Sequence, residues 1–142
     1  MPARIACIGA GGVASAASIL AARRDFFTSL VICDWDYSRA EALVARLGDP
    51  RFTARQLDAS DEAAVLKMLD DTDAEYVLNL LDPRFVMPVF RAALAHGANY
   101  IDTAMSLSAP NDVAPYERVG RMLGDEQLAL ADAWVQQFLS PS

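Results

Sequence analysis

The residues with the most chemistry in them lie close to the amino terminus: Gly9-Ala10-Gly11-Gly12, followed by Val13 and Ala14. Together they form the pattern G-x-G-x-x-G/A, with alanine in the last place. Glycine at position 9 permits a tight turn, and glycine at position 11 lets main chain approach a ligand with no side chain between. Ala14 is small enough for a helix to pack closely on a strand. A helix starting near Val13 presents unpaired N–H groups and the positive end of its dipole to an anion, and a diphosphate fits that requirement. Glycines and alanines are common, so the pattern alone is unspecific. Its context carries the weight: an apolar run before it, helical character after it, and an acid at the end of the next apolar run.

That acid is Asp34, which closes Leu30-Val-Ile-Cys33 about 25 residues after Gly9, near the spacing at which a carboxylate accepts the ribose hydroxyls of a dinucleotide. Asp34 favours NAD. Facing a 2′-phosphate at about 4 Å, it would add repulsion on the order of 4 kcal/mol per phosphate charge at an effective dielectric near 20. Arg39, five residues on, could swing in to offset part of this, so NADP is disfavoured rather than excluded. Asp58-Ala59 ends the third strand, where the adenine lies, and Leu80-Leu81 ends the fourth, near the path of the nicotinamide half. Both placements follow from the rule that ligands sit beyond the carboxyl ends of the strands at the switch point. The expected cofactor-binding set is therefore Gly9, Ala10, Gly11, Gly12, Val13, Asp34, Trp35, Asp58, Ala59, Leu80 and Leu81.

Catalytic groups are scarce, and none is assigned. His96, the single histidine, precedes Gly97 at a helix end, where a cation suits the dipole. Lys67 falls within an amphipathic helix and reads as solvated. Asp102, Thr103 and Ser106 follow the fifth strand and would face a substrate there, but such residues are also ordinary turn formers. No metal-ligand constellation and no nucleophile beside a base is visible.

The elements that must hold these residues alternate. Arg4 to Ile8, Leu30 to Cys33, Phe52 to Leu57, Tyr76 to Leu81 and Tyr100 to Asp102 read as strands. The segments Val13 to Arg24, Ser38 to Leu47, Asp61 to about Asp70, and Arg84 to His96 read as helices between them. Val13, Ala17, Ile19 and Leu20 are placed to cover a sheet. Ser38 with Glu41 forms a capping box, Ser60 caps the third helix, and Gly48 and Gly97 are left-handed stops. Pro88 delays the regular part of the fourth helix to near Val86. Short joints and right-handed crossovers make this a doubly wound parallel sheet, a Rossmann fold with three α/β/α layers. Beyond Asp102 the rhythm stops: Ser106 to Pro115 is loop and Asp125 to Leu139 a further helix, with Trp134 and Phe138 on one side.

Composition narrows the class. A length of 142 residues with 54% hydrophobic residues supports one domain with its own core. A net charge of -7 argues against nucleic acid as a partner. The uncharged stretch Ile5 to Ala22 is too rich in glycine and serine for a signal peptide or a membrane span. Cys7 and Cys33 sit in apolar runs with neither metal nor redox spacing, which implies buried thiols and a cytoplasmic protein.

Four segments carry a family resemblance: Ile8-Gly-Ala-Gly-Gly-Val13, Leu57-Asp-Ala-Ser-Asp61, Asn79-Leu-Leu-Asp-Pro83 and Ala98-Asn-Tyr-Ile-Asp-Thr103. In these the chain resembles the N-terminal NAD(P)-binding domain of the saccharopine dehydrogenase-like family, which includes the carboxynorspermidine and homospermidine enzymes. The resemblance implies hydride transfer at CH–NH bonds of amino-acid-type substrates. It also implies a following substrate domain that supplies most substrate contacts and drives dimerisation. Residues 1–110 then form the dinucleotide-binding domain, and residues 111–142 form an appendage or the start of a missing substrate domain. The expected partners are a dinucleotide and that domain or a homodimer partner. Members that use NADP stand against the NAD preference that Asp34 suggests. The alternative reading is a dinucleotide-sensing regulatory domain without chemistry.

Overall fold

The structure is a computed structural model and describes residues 2–139. Residues 140–142, the end of the expected 111–142 tail, lie outside the described residues, as does Met1.

Five parallel strands form one sheet in the order β3-β2-β1-β4-β5: β1 (Ala3–Ile8), β2 (Phe27–Asp34), β3 (Phe52–Gln56), β4 (Tyr76–Asn79) and β5 (Asn99–Asp102). Helices α1 (Gly12–Ala21), α2 (Tyr37–Leu47), α3 (Glu62–Thr72) and α4 (Val86–His96) connect them. The fold is a Rossmann-type α/β/α sandwich. Strand order reverses between β1 and β4, and at that point the ends of the two strands leave a crevice.

Two apolar cores explain the layers. On one face Cys7, Leu30 and Ile32 meet Ala14 of α1 and Ala40 and Leu43 of α2. On the other, Ala6, Ile8, Val31, Cys33 and Val77 meet Val65, Met68 and Leu69 of α3 and Val89, Ala92 and Ala93 of α4. Alternate residues of buried strands point to opposite faces, so Cys7 and Cys33, on adjacent strands, look away from one another. Burial pushes both thiols up to about 12, which leaves them as inert core groups.

The structure corrects several local expectations. Helix α1 buries Ala14 and Ser18, whereas Val13 and Leu20 are mostly exposed and Ile19 is only partly covered. Close approach of the helix to the sheet selects the small residues, and the larger ones turn outward. Asp36, not Ser38, caps α2: its side chain accepts from the Ser38 N–H at 3.0 Å and the Ser38 hydroxyl at 2.6 Å. Asp61, not Ser60, caps α3 by accepting from the Ala64 N–H at 3.1 Å, while Ser60 donates to Asp58. Strand β2 begins at Phe27, three residues earlier than its apolar run suggested, and β4 ends at Asn79, so Leu80 and Leu81 belong to the turn that follows. The glycine stops hold: Gly48 and Gly97 are left-handed, at φ of 61° and 95°.

The expected single helix from Asp125 to Leu139 is two, α5 (Asp125–Leu128) and α6 (Ala131–Leu139). Trp134 packs within this chain, on Phe90 at 5.2 Å between ring centroids, while Phe138 stays largely exposed. His96 does more than end α4. Its Nδ1 lies 2.6 Å from an Asp70 oxygen and its Nε2 lies 3.1 Å from the Ala74 carbonyl, which fastens α4 to α3. At the opposite end of the sheet from the glycine turn, Arg51 donates to the carbonyls of Arg24 and Ala22 at 2.6 and 3.0 Å. It also pairs with Asp49 at 2.7 Å and lies over the Phe27 ring.

Two substitutions test this packing. Met68→Ala, at a wholly buried site in α3, is expected to cost about 2–5 kcal/mol of unfolding free energy. Asp61→Ala should cost about 1 kcal/mol through loss of the cap. Urea denaturation followed by circular dichroism measures both, and a larger effect at Asp61 than at Met68 would contradict the assignment.

Candidate dinucleotide-binding site

The glycine turn lies where β1 hands over to α1. Gly9 has φ of +108°, a conformation that side-chain-bearing residues rarely adopt. A Cβ there would stand 3.0 Å from Leu81 Cδ2 and 3.4 Å from the Leu80 carbonyl oxygen. Gly9 thus lets the turns after β1 and β4 touch. The Gly9 N–H donates to the Cys33 carbonyl at 2.7 Å, and the Leu80 N–H donates to the Ile8 carbonyl at 2.9 Å. These bonds fix the mouth of the crevice to three strands at once.

Gly11 is the N-cap of α1 and supplies no side-chain cap, whereas α2 and α3 are both capped by aspartate. The first N–H groups of α1 are therefore left without the carboxylate that closes the other two helices. A Cβ at Gly12 would meet nothing within 4 Å, and one at Gly11 only the tip of Arg39, at 3.8 Å. This bare main chain at a helix start suits a diphosphate.

Asp34 ends β2 almost fully buried, at 9% exposure. Its Oδ2 accepts from the Ala10 N–H at 2.8 Å and its Oδ1 from the Asp36 N–H at 2.9 Å. A carboxylate offers about four lone-pair positions, so two protein bonds leave capacity for ribose hydroxyls. Beside it opens a cleft of about 690 Å³ lined by Asp34, Trp35, Asp36 and Arg39 from the end of β2 and the start of α2. Leu57, Asp58, Ala59 and Ser60 line it after β3, and Leu81 and Phe85 after β4. The volume falls in the range of small-molecule and cofactor sites.

Of the residues expected from sequence, the structure gathers Asp34, Trp35, Asp58, Ala59 and Leu81 around this one cleft. Gly9, Ala10, Gly11, Gly12 and Val13 form the adjoining turn and first helical residues. Leu80 packs with the core beneath α1 and α2 and contributes its carbonyl near Gly9. Asp36, Ser60 and Phe85 were not among the expected residues. Asp36 and Ser60 each lie one residue beyond an expected residue, Trp35 and Ala59, so the strand-end rule stops just short of them. Phe85 arrives through a short 3-10 turn (Pro83–Phe85) that no pattern marked. Among the described residues no cluster of three or more His, Cys, Asp or Glu is placed to hold a metal ion, and no helix is long and apolar enough to cross a membrane.

Fold and site together define a dinucleotide-binding Rossmann domain, and the comparisons give its family. The Saccharopine dehydrogenase NADP binding domain matches residues 5–138, and the chain belongs to that family. The carboxyaminopropylagmatine dehydrogenase of Synechocystis is 30% identical over 115 residues, which cover 81% of this chain and 28% of that enzyme. The chain therefore spans little more than a quarter of the length of this relative. Two solved structures share the fold. The apo saccharopine dehydrogenase (L-Glu forming) of Saccharomyces cerevisiae has a TM-score of 0.63 at 22% identity, over 72% of this chain and 22% of that one. A short-chain dehydrogenase/reductase from Brucella melitensis has a TM-score of 0.60 at 18% identity, over 99% and 72%.

Two carboxylates of the cleft, Asp36 and Asp58, and Asp82 in the turn after β4 are held below their ordinary range. The hydroxyl and N–H of Ser38 lower Asp36, those of Ser60 lower Asp58, and the Arg84 guanidinium brings Asp82 down to about 2. A carboxyl whose folded value is depressed contributes stability above its unfolded value, ordinarily 3.8, and loses it as pH falls through the folded value. The melting temperature should accordingly hold steady above about pH 5 and decline between about pH 4 and pH 2. Asp82→Asn should flatten the lowest part of that decline, and an unchanged profile would refute its role. Independently, Gly9→Ala should cost about 1–3 kcal/mol in urea denaturation, because its left-handed backbone and its contact with Leu81 both resist a Cβ.

Proposed function

We propose that this chain binds NAD(H) in preference to NADP(H) and serves as the cofactor domain of an oxidoreductase acting on CH–NH bonds of amino-acid-type substrates. The observation that carries the binding mode is the uncapped start of α1 on bare glycine main chain, with the buried carboxylate of Asp34 alongside. In this reading the N–H groups of Gly11, Gly12 and Val13 hold the diphosphate, and Gly9 and Ala10 shape the turn. Asp34 accepts the ribose hydroxyls. Trp35, Asp58 and Ala59 flank the adenosine end; Leu81, expected from sequence near the nicotinamide half, lines the same cleft and is reassigned to that end, and Leu80 supports the crevice floor. The bound nicotinamide supplies hydride donor or acceptor chemistry, and the protein supplies its placement. No side chain of this chain is assigned as acid, base or nucleophile.

The preference for NAD rests on charge. Asp34, Asp36 and Asp58 border the cleft against one cation, Arg39. A 2′-phosphate entering there meets three carboxylates for each guanidinium. The family bears an NADP description, which stands against this preference, and the charge around Asp34 is what supports it. The substrate class is supported by the names of the relatives, a carboxyaminopropylagmatine dehydrogenase and a saccharopine dehydrogenase. Contacts to such a substrate, and a partner subunit, would come from a further domain, since these relatives are several times longer than this chain.

Titration with NADH and with NADPH, followed by nicotinamide fluorescence, tests the reading. NADH should bind more tightly than about 1 mM with enhanced, blue-shifted emission, and NADPH about tenfold or more weakly. Asp34→Ala should narrow that gap. Equal affinity for the two cofactors would remove the NAD preference, and no binding of either below about 1 mM would remove the function itself.

A further inference from the structure

Asn79, the last residue of β4, is wholly buried, which is uncommon for a carboxamide at the end of an apolar strand. Its hydrogen bonds account for it. Oδ1 accepts from the Leu81 N–H at 3.2 Å, and Nδ2 donates to the Phe85 carbonyl at 3.4 Å and to the Tyr100 hydroxyl at 3.1 Å. One side chain thus grips both ends of the turn between β4 and α4 and ties it to β5. Leu81 and Phe85, the two residues it grips, are also the two from this turn that line the cleft. Leu81 in addition presses on Gly9 across the switch point.

Tyr100 is held in turn. Its ring packs edge-on against Phe90 at 5.1 Å. Burial raises its phenol above the ordinary range; the hydrogen bond from Asn79 opposes this and Asp102 adds to it, so the hydroxyl keeps its proton at neutral pH. Asp102 also accepts from Gln127 Nε2 at 3.0 Å, and Gln127 Oε1 accepts from the Ser106 N–H at 3.0 Å. The turn that walls the cleft is thereby anchored through Asn79 and Tyr100 to the end of β5.

We propose that Asn79, backed by Tyr100, is a positioning residue for the cofactor. It sets Leu81 and Phe85 as the wall opposite Asp34 and Asp58, and so fixes the width of the cleft that takes the adenosine end. This rests on the cofactor assignment above. Asn79 touches no ligand in this scheme and acts through the main chain of the turn.

The test compares affinity with stability. Wild type, Asn79→Ala, Tyr100→Phe and the core control Met68→Ala are titrated with ADP and with NADH, each well below its own melting temperature. Asn79→Ala should weaken ADP and NADH by a common factor of about ten, because the Leu81 N–H and Phe85 carbonyl lose their partner. Tyr100→Phe, which removes one hydroxyl, should weaken both by about threefold. Met68→Ala should lose stability and leave both affinities unchanged. If Asn79→Ala does not fold, Tyr100→Phe against Met68→Ala decides the matter. Wild-type affinity in the Asn79 and Tyr100 variants, or an equal loss in Met68→Ala, overturns the positioning role and leaves the cofactor assignment standing. Failure of wild type to bind either probe overturns both.

Discussion

The carboxylate of Asp34 accepts the amide of Ala10, and the amide of Gly9 reaches the carbonyl of Cys33. These two bonds bind the end of β2 to the turn after β1. A buried carboxylate needs compensation, and here main-chain donors on both sides supply it. The position of the glycine turn, the start of α1 and the near edge of the cleft all follow from that attachment. Because Gly9 has no side chain, the turn after β4 then comes into contact from the other side, and the switch point closes to a crevice instead of a gap.

The acids around the cleft serve two ends with one set of atoms. Asp36 caps α2, and Asp58 holds Ser60 in the turn before α3. Both therefore help to hold their loops, and both also charge the space between those loops. The electrostatic character of the site is in this sense a by-product of how its helices begin. Removing these acids would loosen the loops as well as take charge from the cleft, with Asp34 the most deeply embedded of the three.

The alternation of strands and helices was legible because it depends on short-range signals: apolar runs for buried strands and glycine for left-handed stops, as Gly48 and Gly97 bear out. The glycine turn and the strand-end acids were legible from spacing for the same reason. The caps were misassigned because Asp36, Ser38, Ser60 and Asp61 are all competent caps, and only the exact bend of the chain chooses among them. The outward-facing Val13 and Leu20 reflect a helix–sheet distance that periodicity does not encode. Asn79 went unread as a structural group because its partners, Phe85 and Tyr100, meet it only once β4, α4 and β5 have packed. The division of the last helix near Ala129 likewise had no marker in the sequence.

The two ends of α1 are treated in opposite ways. Its trailing carbonyls, at Ala22 and just beyond at Arg24, are taken up by Arg51, which is itself clamped by Asp49 and Phe27. Its leading amides, at Gly12 to Ala14, meet no such side chain among the described residues. The helix is thus moored permanently at its tail and left to be moored at its head by whatever anion arrives. Occupancy would then be felt as order: protection of the Gly12 to Ala14 amides against solvent exchange should follow the filling of the site, while the Ser15 amide, already bonded to the Gly11 carbonyl, and the Arg51 end stay equally protected throughout.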